Sequence, residues 1–210
     1  MKTVDIRERR SVARGSARPP YRREQILRVA MELFHRRGVS STNVEAIAEE
    51  VGVRPASLYH HFRDKQAIID AAVGLAHARM VSRLEKHHGA KLSPEDRLGA
   101  LVDDLVDYVV EDVPLAAVGR HDHVHAGPGI RRRADQAETL LEDSIVSVIA
   151  GARPGLSEGA CQALARALIG AIWSVTHSDL RLEGTALRRY LRRAGRAVVL
   201  GRRAKRVSAE

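Results

Sequence analysis

The sequence predicts an all-α protein of about nine helices, and three observations support this prediction. Apolar residues recur at spacings of three and four along most of the 210-residue chain, which places them on one face of a helix. The strict alternation of apolar and polar residues that marks a half-buried strand does not occur. Residues typical of helix ends separate these segments, such as Ser93-Pro94 at a start and Gly52 at an end.

Composition restricts the class of protein. Hydrophobic residues make up 44% of the chain, enough to build a packed core. Cys161 is the single cysteine, which excludes an intrachain disulfide and favours a buried structural role over a redox role. The longest uncharged apolar stretch, Ala167 to Val175, is far shorter than the roughly 20 residues of a membrane span. Because the basic N-terminus has no apolar segment behind it, we expect a cytoplasmic protein with no membrane partner.

Charge is concentrated at the two ends of the chain. The formal net charge is +9, with +6 over residues 1–23 and +8 over residues 188–210, so the segment between them is mildly acidic. A basic balance of this kind favours a polyanionic partner, usually nucleic acid. We expect residues 1–20 to form a flexible basic arm and residues 201–210 a basic tail. Arg18, Arg22 and Arg23 are the candidate DNA contacts at the end of the arm.

The first third of the chain has the spacing of a helix-turn-helix. A helix is predicted from Tyr21 to Arg37, with Gly38 as its left-handed end. Thr42 and Glu45 then match a capping box that begins a short helix ending at Gly52. Pro55 suits the first turn of a further helix through Phe62. Asp64 begins a long helix to about His88, and the second helix of such a unit enters the major groove of DNA.

The side chains of this segment suit contacts with DNA. Arg54 and Ser57 lie at the start of the second helix, where Arg can bond guanine and Ser can bond several bases. Lys65 lies in the first turn of the following helix, where its charge opposes the helix dipole unless it contacts a phosphate. The remaining polar candidates are Asn43, Tyr59, His60 and His61. The alternative is a three-helix bundle with an exposed polar face.

Residues 21–73 resemble the N-terminal domain of the TetR/AcrR family of transcriptional regulators. The most specific part is Ser57-Leu58-Tyr59-His60-His61-Phe62, followed three residues later by Lys65. The resemblance implies that Thr42, Tyr59, His61 and Lys65 contact phosphates and that Arg54, Ala56, Ser57 and His60 face bases. It also implies that the arm before Tyr21 follows the minor groove. Pro55-Ala56 departs from the Lys-Gly or Thr-Gly pair of many members, which affects the expected base preference.

The same resemblance implies two domains: a helix-turn-helix DNA-binding domain over residues 21–66 and a ligand-binding and dimerisation domain over residues 67–200. A linking helix over about 64–88 joins them. A helix from Ser157 to about Ser178 is apolar on nearly all sides, and a last helix over 186–200 follows where the family dimerises. The expected interface residues are Leu164, Ala167, Leu168, Ala171, Val175 and Leu191.

A ligand pocket is expected in the larger domain, although ordinary core packing is the alternative. Tyr108 and Trp173 are the two aromatic residues that could line it. The other expected lining residues are Leu101, Leu105, His121, Ile145, Ile149 and Ile172. Since these walls are aliphatic, we expect a small hydrophobic effector. The string Arg153-Pro154-Gly155-Leu156-Ser157, with the Ala/Leu-rich helix after it, resembles members of the family some of which respond to lipid or acyl-CoA ligands, and the resemblance implies an effector of that type.

A break is predicted over residues 121–129, after a short helix from about Pro114 to Arg120. His121, His123 and His125 alternate there, and in extended backbone they would present imidazoles on one side to Zn, Ni or Cu. A polar loop and a loop that contacts the effector are the alternatives.

The sequence therefore predicts a ligand-responsive regulator that acts as a repressor. We expect it to bind a near-palindromic DNA operator as a homodimer and to be associated with the nucleoid. A metal-responsive regulator and a constitutive architectural DNA-binding protein are the alternatives. The signatures of enzymes are missing, including glycine-rich phosphate loops and Gly-x-Ser-x-Gly, so no catalytic residue and no cofactor is expected. Arg131-Arg132-Arg133 and the arginine pairs over 188–193 form either exposed helix faces or a second nucleic-acid surface.

Overall fold

The computed structural model describes residues 19–86, 92–177 and 184–201, and within these ranges every regular element is helical. The α-helices are α1 (Pro19–Arg37), α2 (Val44–Val51), α3 (Pro55–Tyr59), α4 (Lys65–Lys86), α5 (Pro94–Glu111), α6 (Val113–Ala117), α7 (Pro128–Ala152), α8 (Glu158–Trp173) and α9 (Gly184–Leu200). The all-α prediction is confirmed. No helix in the described ranges is both long and apolar enough to cross a membrane.

The first helix begins two residues earlier than predicted. α1 starts at Pro19, so Pro19 and Pro20 belong to its first turn rather than to an arm. Proline is compatible with this position because the first N–H groups of a helix have no partner within it. The rest of the predicted arm, residues 1–18, lies outside the described residues, as do His87, His88 and residues 202–210 of the predicted tail.

The N-terminal helices pack around a common apolar centre. Phe34, Ile47 and Leu58, one from each of the first three helices, are almost fully buried. α4 adds Ile68 and Val73 to the same core, so the helix that follows the bundle is packed as part of it. Asp64 stabilises the start of α4, because its Oδ1 accepts the N–H of Ala67 at 2.7 Å.

The capping prediction at α2 was wrong by one residue. Asn43 is the N-cap, and its side chain accepts the N–H of Ala46 at 2.8 Å. Thr42 is instead buried, and its Oγ1 donates to the carbonyl of Gly38 at 2.9 Å. Gly38 has a φ of 82°, so the chain turns there and brings Val39 and Thr42 back under α1. The turn takes the hydroxyl of Thr42 into the interior, where it cannot act as a cap.

The second helix of the unit is shorter than predicted. α3 ends at Tyr59, and the N–H groups of His61 and Phe62 both bond the carbonyl of Leu58. Phe62 follows this turn, and its ring is buried.

The larger domain is built around α5. This helix packs against α7, α8 and α9, and α7 in turn packs against α4. Gly195 on α9 permits a close approach, because a Cβ there would lie 2.9 Å from Val102 Cγ1 and 3.0 Å from Leu168 Cδ1. Ion pairs lie beside this contact, with Arg192 Nη2 2.7 Å from Asp107 Oδ2 and Arg196 Nη2 2.7 Å from Asp103 Oδ2.

The segment predicted as a break over residues 121–129 is largely helical. A single π-helical turn covers Val118–Asp122 and a 3₁₀ turn covers His123–His125, so the chain leaves helical geometry only near Ala126 and Gly127. The π turn contacts α4 and α6, and Gly119 within it lies against Ala76. The break is confined to Ala126 and Gly127, because Pro128 already begins α7.

Candidate functional site

A tight glycine turn joins α2 to α3. Gly52 adopts a φ of 76°, and its N–H caps the end of α2 through the carbonyls of Ala48 and Glu49. Arg54 then takes an extended conformation as the N-cap of α3, and Pro55 occupies the first turn. Of the side chains on α3, only Leu58 is fully buried, so this single residue anchors the helix to the bundle.

The predicted base-facing residues share the outer surface of α3. Arg54, Ala56 and His60 are exposed and Ser57 is partly exposed. Tyr59 is 47% exposed, an unusual degree for an aromatic residue of a packed helix. His61 and Lys65 are partly exposed at the following turn. The structure therefore brings these seven residues together at one end of the molecule, and their contacts with DNA remain a prediction.

Thr42 does not fit its predicted role as a phosphate contact. Its side chain is 1% exposed, and its hydroxyl is hydrogen-bonded to the carbonyl of Gly38. Asn43 is exposed beside it and uses only its Oδ1 for the cap. The amide NH₂ of Asn43 thus remains available to a phosphate, while Thr42 fixes the turn that positions it.

Two arginines of α1 extend the basic surface. The guanidinium of Arg23 lies 4.6 Å from the centre of the Phe62 ring, a cation–π contact that holds it beside the turn after α3. Arg22 Nη1 donates to Gln25 Oε1 at 3.1 Å. Arg18 lies outside the described residues.

A small cavity lies where α4, α5, α6, α7 and α8 meet. Its volume of about 20 Å³ admits about one water molecule. Tyr108 and Trp173 line it as predicted, with their ring centres 6.1 Å apart. The other lining residues are Ala76, His77, Met80, Ala116, Gly119, Arg120, Ala137, Glu138 and Leu141.

Five of the predicted pocket residues are packed into the solid core instead. Leu101, Leu105, Ile145, Ile149 and Ile172 are all 2% exposed or less, and none of them lines the cavity. The apolar spacing identifies the buried face of a helix, but it cannot separate residues that surround a cavity from those that fill the core. His121 also does not reach this cavity. It lines a neighbouring open pocket of about 560 Å³.

The cavity has an apolar wall and a polar corner. Arg120 Nη1 lies 3.4 Å from Glu138 Oε2, and His123 Nδ1 lies 3.7 Å from Glu138 Oε1. Both His123 Nδ1 and Glu138 Oε1 are buried without a hydrogen-bond partner in the described part of the chain. Such atoms are costly to bury unless something bonds them.

Two further groups at the cavity have defined protonation. The Nδ1 of His77 lies 2.8 Å from the carbonyl of Val73, which can only accept, so the hydrogen is on Nδ1. Burial lowers the pKa of His77, so the ring is neutral near pH 7 and its Nε2 is an acceptor. Burial and the charge of Asp112 raise the pKa of Tyr108, which therefore keeps its proton and donates to the carbonyl of Ala76 at 3.1 Å.

The polar corner was missed by the sequence analysis, although the sequence contains a signal for it. On α7 the buried residues Ala134, Leu141 and Ile145 follow a helical stripe, and Glu138 occupies the position four after Ala134. His77 similarly lies four residues after the buried Val73. A titratable residue inside an apolar stripe is a candidate for a binding site.

The extended backbone that the metal hypothesis assumed is replaced by helical turns. His121 lies in a π turn, and His123 and His125 lie in a 3₁₀ turn rather than in an extended strand. The Nε2 of His121 lies 2.9 Å from Thr176 Oγ1, and its ring centre is 4.0 Å from that of His177. In the described ranges no three His, Cys, Asp or Glu residues form a group that could hold a metal ion.

The predicted dimer surface is only half available. Leu168, Val175 and Leu191 are buried within the protomer and cannot form an interface. The opposite face of α8 is open, with Ala167 exposed and Leu164 and Ala171 partly exposed. Ala163 and Gly170 are exposed on the same side. One face of α8 thus packs in the core of the protomer, and the opposite face is exposed to solvent.

α4 ties the DNA-reading end to the cavity. Its first turns hold the segment before α7, since Asp70 Oδ1 accepts the N–H of Gly127 at 2.8 Å. Gln66 Nε2 donates to the carbonyl of His125 at 2.9 Å. Ala76 and Met80, further along the same helix, line the cavity.

A short helix that is fixed by a glycine turn and exposed on its polar side defines the class of helix-turn-helix DNA-binding proteins. Residues 26–72 match the family model described as "Bacterial regulatory proteins, tetR family". This match, in the DNA-reading segment, and the relatives described below support a regulator of the TetR family.

The curated relatives match mainly through the same segment. The HTH-type transcriptional repressor KstR2 of Mycolicibacterium smegmatis is 37% identical over 54 residues, which are 26% of this chain and 26% of that protein. The HTH-type transcriptional regulator AcrR of Shigella flexneri is 37% identical over 84 residues, 40% of this chain and 38% of AcrR. The HTH-type transcriptional repressor KstR of Mycobacterium tuberculosis is 24% identical over 140 residues, 67% of this chain and 64% of KstR. Each match thus spans less than two thirds of the relative's length.

Solved structures share the fold along most of the chain. The ketosteroid transcriptional regulator KstR2 of Mycobacterium tuberculosis has a TM-score of 0.76 at 19% identity, covering 86% of this chain and 94% of that one. The TetR family regulator PfmR of Thermus thermophilus has a TM-score of 0.71 at 20% identity, covering 84% and 97%. AibR in complex with isovaleryl coenzyme A and operator DNA has a TM-score of 0.67 at 19% identity, covering 81% and 96%.

Proposed function

We propose that the protein is a ligand-responsive transcriptional repressor that binds a near-palindromic operator as a homodimer and is released by a small hydrophobic effector. The observation that carries this proposal is the double role of α4. The same helix belongs to the core of the DNA-reading bundle and forms a wall of the cavity. A molecule that enlarges the cavity must therefore displace a helix on which the bundle is packed.

Contacts with the operator are assigned to the outer surface of α3. Arg54, Ser57 and His60 would read base edges in the major groove, because they are exposed at the start and end of this helix. Tyr59 and Lys65 would bond phosphates on either side. Since two half-sites of a palindrome lie about one helical turn apart, about 34–36 Å, the two copies of α3 must be held at that spacing. The protein would accordingly reside on chromosomal DNA.

Dimerisation is assigned to the open face of α8. Ala163, Ala167 and Gly170 are exposed and small, so a partner helix could approach closely. α9 packs against α8 and would complete a bundle with the partner's two helices. The uncovered apolar face supports this assignment because such faces mark association sites.

The effector acts by a shift of populations. In the described conformation the cavity admits about one water molecule, so an effector can enter only a state with more room between α4, α6 and α7. The open pocket shares Arg120, Glu138 and Trp173 with the cavity, which makes these three residues the natural entrance. An effector that binds the enlarged state more tightly would move α4 and increase the distance between the two copies of α3.

The names of the relatives support repression and a hydrophobic effector. Two of the curated relatives are called repressors, one solved relative is called a ketosteroid regulator, and another was solved with isovaleryl coenzyme A and operator DNA. By analogy we propose an effector of the lipid or acyl type for this protein. No reaction is proposed for it.

The test begins with selection of bound sequences from random DNA, followed by affinity measurements on the selected operator. The double variant Tyr59→Phe, Lys65→Ala should weaken binding on every sequence and reduce the salt slope by about one per lost phosphate contact. Arg79→Ala is the matched control, because Arg79 is a cation whose side chain is 54% exposed and which pairs with Asp112 at 3.6 Å, away from α3 in sequence. Unchanged affinity in the double variant would refute the docking model. The absence of any consensus would instead favour the architectural alternative.

A further inference from the structure

The polar corner of the cavity is electrically balanced. It holds one fixed cation, Arg120, and one fixed anion, Glu138, which face each other at 3.4 Å, and His123 Nδ1 lies 3.7 Å from the other oxygen of Glu138. His77 is neutral and contributes no charge. A carboxylate that bonded Arg120 would lie beside the negative charge of Glu138. An ammonium group that bonded Glu138 would lie beside the positive charge of Arg120. Both arrangements place two like charges side by side, which is unfavourable even though water screens the pair, whose side chains are 38% and 30% exposed.

The same corner offers both hydrogen-bond donors and hydrogen-bond acceptors to an uncharged group. Nε2 of His77 is an acceptor, and no hydrogen bond from the described residues reaches it. Glu138 Oε1 is a buried acceptor that lacks a donor in the described structure. The guanidinium of Arg120 supplies donors. A hydroxyl group matches this set, because it donates one hydrogen bond and accepts others.

The remainder of the cavity is apolar. Met80, Leu141 and the rings of Tyr108 and Trp173 line it, and the one hydroxyl among them, on Tyr108, already donates to the carbonyl of Ala76. An effector must therefore combine an apolar body with a polar group at the His77, Arg120 and Glu138 corner.

We infer that the cavity binds a neutral apolar molecule that carries a hydroxyl group, which donates to Glu138 or His77 and accepts from Arg120. This inference rests on the proposed function, since it names the chemical class of the effector. It disfavours free fatty acids and amines, because each would place a like charge beside Glu138 or Arg120. It also disfavours coenzyme A esters, whose phosphates need more cations than the single arginine at the cavity.

Trp173 makes the test direct, because it is the only tryptophan of the chain and lines the cavity. The full-length protein is titrated with 1-octanol, octanoate and octylamine, which share a chain length and differ in the head group, while tryptophan fluorescence is recorded. We expect 1-octanol to bind at least about tenfold more tightly than either ion, a preference of about 1.4 kcal/mol. Tighter binding of octanoate or octylamine would overturn the inference, as would no binding of any probe.

The variant Glu138→Gln tests the charge balance. It leaves Arg120 without its anion, so octanoate affinity should rise about tenfold while 1-octanol affinity changes less. Glu142→Gln is the matched control: Glu142 lies one turn further along α7 and pairs with Arg166 at 2.8 Å instead of with the corner. Equal effects of the two variants on octanoate would contradict the assignment.

A second variant keeps the inference falsifiable if Glu138→Gln unfolds. His77→Phe preserves a ring of similar size and removes the Nε2 acceptor, so it should weaken 1-octanol binding and leave octanoate binding nearly unchanged; an equal loss for both probes would count against the inference.

Operator binding is measured in parallel. Release of the operator by octanoate would preserve the proposed function and overturn only the hydroxyl inference, whereas absence of operator binding without any probe would contradict the proposed function itself.

Discussion

The close contact between the π turn and α4 provides a quantitative test of how the two parts of the molecule are joined. A Cβ placed on Gly119 would lie 2.8 Å from the Cβ of Ala76, well inside an ordinary van der Waals contact. Neither atom belongs to a flexible chain end, so Gly119→Ala must push the π turn and α4 apart. Overpacking of this kind costs about 1–3 kcal/mol.

The gain in helix propensity offsets part of that cost. Alanine is favoured over glycine inside a helix by about 0.5–1 kcal/mol, so the net loss of unfolding free energy should be about 0.5–2 kcal/mol. In a protein of this size each kcal/mol shifts Tm by about 2–4 °C, so Tm should fall by about 1–8 °C.

Gly74→Ala is the matched control on α4 itself. A Cβ at Gly74 meets no atom within 4 Å, so this variant gains helix propensity with no clash and Tm should rise by about 1–4 °C. Calorimetry on the two variants and the unmodified protein measures the difference. A Gly119→Ala protein as stable as the Gly74→Ala protein would refute the reasoning.

Three further predictions concern the turn before α2, the attachment of α4 and the effect of pH. Thr42→Val keeps the shape of the side chain and removes its hydrogen bond to Gly38, so urea unfolding should show a loss of about 0.5–1.5 kcal/mol, with Thr42→Ser close to the unmodified protein. Asp70→Ala removes the acceptor of the Gly127 N–H; stability should fall by about 1–3 kcal/mol, and any effector should release operator DNA less completely. Burial, with the neighbouring charges of His177, Arg120, His123 and His35, lowers the pKa of His121 to about 4. Because the unfolded state then binds more protons, the free energy of unfolding should decline as the pH falls from 6.5 towards 4, and His121→Asn should flatten this decline in thermal unfolding scans. An equally steep decline in that variant would contradict the assignment to His121.

Much of the DNA-reading domain could be predicted from sequence because its signals are local. Gly38 and Gly52 both have positive φ, and Pro55 lies at the first turn of α3, as the sequence indicates. The cap at Asn43 could not be assigned, since Thr42, Asn43 and Ser41 are all capable caps and only the packing of the preceding turn selects one of them. The shortening of α3 likewise depends on the burial of Phe62 against other helices.

The larger domain was predictable in its helices but not in its sites. Periodicity located the buried stripes of α5, α7 and α8, yet it assigned Leu105 and Ile149 to a pocket that they do not line. It also could not decide which face of α8 is covered by its own chain. That choice depends on where α5 and α9 pack, which is a property of the tertiary fold rather than of the local sequence.

The histidine segment shows the limit of patterns without geometry. Alternation places side chains on one side only if the backbone is extended, whereas this segment forms a π turn and a 3₁₀ turn. The charged residues that do line the cavity, Arg120 and Glu138, are 18 residues apart in sequence, and no local motif joins them.

The central claim is that two copies of α3 are held one turn of DNA apart, and an inter-protomer distance tests it most directly. Arg63→Cys places a thiol at a side chain that is 82% exposed beside α3, and Cys161, the only native cysteine, is buried and escapes labelling. Double electron–electron resonance on the spin-labelled protein should give one narrow distance near one helical turn, about 34–36 Å, when the selected operator is bound. A broader distribution at a different distance is expected with a bound effector. The absence of any inter-protomer distance, or a distance on operator DNA far from one turn, would contradict the account.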